Sequence, residues 1–373
     1  MFSLLSKIRE RIKDKIGERR QLFHAMDFQS LMYPCFTFGR ILGMHPYKIN
    51  TLPFEISKPC YIISIITVCV FFFSSLIITI NIPEWFGPHR NISKLIELVS
   101  LQIVGTFITI VTFVLSGPRI RLLKSILQIS SRLSSESYQK PSILIHIKDI
   151  FGIFFLLVYT IKDCYKWRIS VSLKLSALYF NLVSFQMNML YINCIYVLTA
   201  CFKKIDNDLK NLLIMCDQPH SVKWFCFTQR KSHLLMKLKA LKKLHLEISN
   251  SVRMLNIIFS PQILATIVTI IIVITFELHF NVISWQNGLS IGWMKQIKNR
   301  ITMPYVVFHA IKIALITWTC QTGKNQVIKI NTTVHDVLNS TDDEQIKREV
   351  LKILISLFIV LIFYIMIHFL YTE

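Results

Sequence analysis

Three charged residues stand in stretches too apolar to hold them cheaply. Lys312 lies in the middle of an otherwise uncharged run at 301–322, and Lys148 and Asp149 lie side by side in a second run at 142–161. Ionisable groups inside apolar spans are expensive and therefore candidates for function. Lys148 and Asp149 fall near one end of their run, where they either snorkel or pair with neighbours. For Lys312 two roles stay open, one in a hydrated cavity and one in a buried pair with an acid. A second set combines aromatic rings with amides, carboxylates and an imidazole: Tyr159, Asp163, Tyr179, Asn181, Gln186, Glu277, Tyr305 and His309. Aromatic walls with a few polar groups suit a small polar ligand, and the same residue types also bond helix to helix in membrane bundles. No C-x-x-C or H-E-x-x-H occurs and no nucleophile–base constellation is visible. Catalysis, a metal site and a cofactor are therefore not expected.

The elements that must position these residues are helices in a bilayer. Of 373 residues, 53% are hydrophobic and 17% charged, against about 45–50% and about 25% in a soluble globular chain. Mean hydropathy is +0.50. The apolar excess sits in blocks, which argues against a soluble enzyme or a DNA-binding domain. A spanning helix needs roughly 20 mostly apolar residues, and seven runs qualify: 59–83, 98–118, 142–161, 175–202, 254–276, 301–322 and 353–372. The net charge of +21 then reads as basic loops facing anionic lipid, with no nucleic-acid partner.

Loop charge sets the orientation. The connections at 1–58, 119–142, 203–253 and 323–352 carry ten, five, eleven and five Lys or Arg, whereas those at 84–97, 162–174 and 277–300 carry two, four and three. The richer side is cytoplasmic, so the expectation is an all-α membrane protein of seven transmembrane helices with a cytoplasmic N-terminus. A metabotropic seven-helix receptor has the opposite orientation and usually a D-R-Y or N-P-x-x-Y motif, both missing here. A transporter would show helices broken by Gly or Pro at paired positions, and these spans hold few of either.

The chain divides into a cytoplasmic N-terminal region (1–58), transmembrane helices 1–4 (59–202), a cytoplasmic helical region (203–253), helices 5–6 (254–322), a cytoplasmic connection (323–352) and helix 7 (353–373). In the first region Leu5, Ile8, Ile12 and Ile16 recur at helical spacing with Lys and Arg around them. Such a helix lies on anionic lipid or packs on its own protein, and it lacks the continuous apolar core of a signal peptide. In the third region Leu234, Leu238, Leu241, Ile248 and Val252 form one apolar stripe, predicting a long helix that runs into the fifth span. Of three sequons, only Asn91 falls on the external side, which makes it the glycosylation candidate.

Four segments resemble insect gustatory receptors. FGRILGMHPYKI (38–49) is similar to the stretch before their first span, and FKKIDNDLKNL (202–212) to the cytoplasmic continuation of their fourth helix. HLEISNSVRMLNIIFSPQIL (245–264) resembles the entry of their fifth helix, and VHDVLNSTDDEQIKREV (334–350) the stretch after their sixth. The resemblance implies a seven-helix chemosensory receptor whose subunits assemble as a homo- or hetero-tetramer, a cation channel opened by a small-molecule tastant. It further implies a plasma-membrane location in the dendrite or axon of a gustatory neuron, a ligand pocket in the outer half of the bundle, and a pore lined by the seventh helix. After Val350 the sequence departs from the family pattern, as an atypical or truncated C-terminus. With His368-Phe369 in the family's Gln-Phe slot, its Thr-Tyr slot reads Leu361-Ile362. His368 and Phe369 are thus the pore candidates, and a non-conducting or auxiliary subunit is the alternative to a conducting one.

Overall fold

The apolar runs fold as helices, and no strand occurs among the described residues of the computed structural model, which are 24–45, 57–85, 92–166, 171–217, 224–286, 302–341 and 343–354. Eight helices follow in order: α1 (Phe28–Ile41), α2 (Lys58–Trp85), α3 (Ile92–Val114), α4 (Ser116–Ser130), α5 (Ser135–Lys166), α6 (Val171–Asp217), α7 (Trp224–Gln286) and α8 (Thr302–Asn339). A last helical stretch, α9, covers 344–354. Among the described residues five segments are long and apolar enough to cross a membrane: Lys58–Asn81, Leu95–Val114, Ser135–Ile161, Val171–Ile214 and Ser232–Phe276. The predicted sixth span falls in α8, which carries His309, Lys312 and Gln321 and is not among the five. The predicted seventh lies mostly outside the described residues, as do the N-terminal amphipathic helix, Asn91, His368 and Phe369.

α6 is the axle of the bundle, touching every other helix from α1 to α8 and packing most extensively on α8. Its neighbours show their apolar outer faces instead. On α5, Ile143, Ile147, Phe151, Phe154, Leu157 and Ile161 are exposed while Ile145, Asp149, Gly152, Ile153 and Leu156 are buried. That exposed stripe has helical period, and in a bilayer lipid covers it. The chain is an all-α, multi-pass membrane protein.

α1 is docked, not trailing. Asp27 caps it through a capping box with Ser30, satisfying amide donors that the first turn leaves free. At its other end Gly43 adopts φ +70°. Its N–H bonds to the carbonyl of Arg40, and that of Met44 to the carbonyl of Gly39 at 2.8 Å. This is a Schellman cap, and its left-handed position favours glycine. The second glycine of FGRILGMHPYKI therefore has a mechanical explanation. The turn buries His45, and burial together with the Arg119 charge lowers its pKa to about 3, so the imidazole is neutral.

The connection at 119–142 is more ordered than the charge count suggests. α4 packs against α7 and α6 there, and Arg119 is fully buried, donating to the Thr112 carbonyl at 3.2 Å with its guanidinium over the Phe259 ring. The apolar stripe predicted at the start of α7 packs inward: Leu238, Leu241, Ile248 and Val252 are core residues, with Leu234 against them.

Candidate functional site

Between α5, α6 and α8 lies a cavity of about 370 Å³, within the range of roughly 300–1,000 Å³ that holds small-molecule ligands. Its walls are apolar and aromatic: Phe151, Phe185, Phe308, Trp318, Met189 and Leu315 among them. Gly152 shapes one wall. A Cβ there would lie 2.1 Å from Cζ of Phe185, so only glycine lets α5 come this close to α6 with the ring in place.

Two lysines reach this cavity, Lys148 from α5 and Lys312 from α8. Their environments differ. Lys148 Nζ makes an ion pair with Asp149 and donates to Oδ1 of Asn193 at 3.1 Å, while Asn193 Nδ2 donates to the other Asp149 oxygen at 2.9 Å. The three residues close a ring in which one positive and one negative charge cancel. Lys312 is 4% exposed, and no acid or acceptor among the described residues reaches its ammonium. Of the two roles the sequence left open for it, the acid partner is missing among the described residues and the cavity is present.

The residues singled out from the sequence disperse around α6. Tyr179 donates to the Leu42 carbonyl at 3.3 Å and stacks on Phe71, with ring centroids 3.6 Å apart. Gln186 donates to the Cys35 carbonyl at 2.6 Å. Both therefore hold α1. Asn181 faces a small void of about 40 Å³ bounded by α3, α6 and α7. Tyr159 stacks near Phe155, which stacks on Phe308, and Phe308 meets His309 edge to face. Of the set, Tyr159 and His309 are thus the two joined to the larger cavity, through Phe308. The side chains of Asp163, Glu277 and Tyr305 lie outside the described residues. Sequence reasoning missed the cavity because Phe151, Phe185, Phe308 and Trp318 look like any lipid-facing or packed aromatics; the signals it had were Lys148 and Lys312.

The chain matches the 7tm Chemosensory receptor family over residues 32–362. It belongs to that family. A search for characterised relatives found no match. The match runs past Val350, and its segments have structural work in this receptor. Asp206, in the second motif, is buried on α6, accepts from Thr333 of α8 at 2.7 Å and pairs with Lys210. Ser251, in the third, bonds to Ser125 of α4. Asp343, in the fourth, receives the N–H of Gln345 at 2.9 Å and caps α9. The first of these contacts joins α6 to α8 and the second α7 to α4, both beyond the apolar runs of those helices.

Proposed function

We propose that this chemosensory receptor is of the gustatory class and acts as a subunit of a tastant-gated, non-selective cation channel in the plasma membrane. It assembles as a homo- or hetero-tetramer, with seven spans and a cytoplasmic N-terminus. The observation that carries this reading is the family match over residues 32–362. The basic bias of alternate loops supports the orientation, and the four gustatory-receptor-like segments within the match favour taste over other chemosensation. A tastant reaches the bundle from outside and shifts an equilibrium between closed and open arrangements by binding the open one more tightly.

The test is whole-cell current in cells expressing the chain, alone and with a version carrying a family-type ending after Val350, under a panel of sugars and bitter compounds. Tastant-evoked cation current from the chain alone supports the full reading. Current only with the family-type ending, or only on co-expression with a second gustatory receptor, assigns an auxiliary role. Surface-expressed protein that stays silent in every arm overturns the channel reading.

A further inference from the structure

The walls of the cavity that holds Lys312 are also part of the outer surface of the bundle. Phe151 is 64% exposed and Trp318 52%; with Leu144 and Ile311, also exposed, they line the cavity and lie on the apolar faces of α5 and α8. The opening therefore lies on an apolar flank of the bundle formed by α5 and α8, the kind of surface that meets hydrocarbon in a bilayer. An entrant from that side is itself apolar over most of its length. Deeper in, it meets the Lys312 ammonium. Lys148, the other amine on the wall, already has Asp149 beside it, so among the described residues Lys312 is the one basic group of the cavity with no carboxylate next to it. A buried charge without a partner is costly, and a ligand that supplies the counter-charge recovers that cost on binding.

We propose that this cavity binds a membrane-partitioned amphiphile, its anionic head on Lys312 and an apolar chain against Phe151, Phe185, Phe308 and Trp318. The head is a carboxylate or a phosphate, which present the same chemistry to an ammonium. The source is a free amphipathic acid or an anionic phospholipid of the bilayer. The proposal does not depend on channel activity.

Full-length receptor is purified into nanodiscs of neutral phosphatidylcholine and labelled with a diazirine-bearing decanoic acid. Decanoate, decanol and decyltrimethylammonium compete for the label, whose adducts are mapped by mass spectrometry. The expected result is labelling on α5 and α8, competed by decanoate at a concentration at least ten-fold below decanol and hardly at all by the ammonium. Lys312→Gln should bring decanoate and decanol to parity, Lys312→Arg should keep the preference, and exposed Lys239→Gln should leave it unchanged. Nanodiscs doped with phosphatidic acid separate the two sources: displacement of the label by the phospholipid while decanoate competes weakly assigns the site to bilayer lipid. Equal competition by decanoate and decanol in the unmodified receptor overturns the proposal, and that comparison stands even if Lys312→Gln does not fold. Adducts elsewhere, or an unchanged preference in Lys312→Gln, overturn it too.

Discussion

The two sides of α6 treat polar groups in opposite ways. Toward α1, side-chain donors meet backbone acceptors: Gln186 on the Cys35 carbonyl, Tyr179 on Leu42, and His146 of α5 on Leu31. A helical carbonyl has a second lone pair, so each bond adds to the helix without breaking its own ladder. Toward α8, the Lys148–Asp149–Asn193 ring is closed in the same spirit, but on the same cavity Lys312 has no acid or acceptor among the described residues. Polarity in a membrane bundle thus has two uses. Where it is satisfied it fastens helices, and where it is left open beside a void it marks a place for something else. Residue type does not separate these uses; the partner does.

Several substitutions put that contrast at risk. The largest effect is expected from Asp149→Asn, which strands Lys148 beside the cavity without its carboxylate. Losing one member of a buried pair costs about 3–5 kcal/mol, read as a lower thermal unfolding midpoint of detergent-purified receptor. A loss below about 1 kcal/mol, the size of a surface pair, would mean the ring is not a unit. Lowering the pH acts on the α1 side. His45 has a folded pKa of about 3, below its unfolded value, so its contribution is complete above pH 6.5 and is lost as pH falls toward 3. At most about 1.4 kcal/mol goes per pH unit below 6.5, and His45→Gln should flatten the midpoint between pH 6.5 and 5.

Gln186→Leu should cost about 1 kcal/mol, the worth of one hydrogen bond, and Gly43→Ala about 1–2 kcal/mol through its left-handed φ. Limited proteolysis checks whether either change loosens α1 specifically, as the fastening role requires; cleavage spread evenly over the molecule would deny it. The smallest effect belongs to Lys312→Met in the empty receptor. Removing a buried amine that has no acid beside it among the described residues should leave the midpoint unchanged or raise it slightly, the reverse of Asp149→Asn. A clear fall would show that Lys312 fastens the bundle like the others.

Much of the scaffold was legible beforehand. The apolar runs 59–83, 142–161, 175–202 and 254–276 each lie within one described helix, 98–118 runs over the end of α3 into the first turn of α4, and the stripe from Leu238 to Val252 is buried as its spacing predicts. The docking of α1 was not legible, because its fastening residues come from 100 or more positions away, as with Ser142 on the amide of Ala25 and Gln186 on Cys35. Tyr179 and Gln186 were visible as polar residues in an apolar helix, but their targets are backbone carbonyls, which leave no mark in a sequence.

Composition and periodicity by themselves determined that this chain is helical and membrane-embedded, because twenty apolar residues in a row have few other stable places to go. They also marked Lys148, Asp149 and Lys312 as anomalies, since the expense of a charge in hydrocarbon does not depend on its neighbours. Whether each anomaly is neutralised was decided by tertiary structure alone. Asn193 closes around Lys148 and Asp149 because α5 and α6 pack there, whereas the face of α8 bearing Lys312 meets aromatic rings and a void. Pairing is a matter of a few ångströms between helices distant in sequence, and only the packed bundle sets those distances.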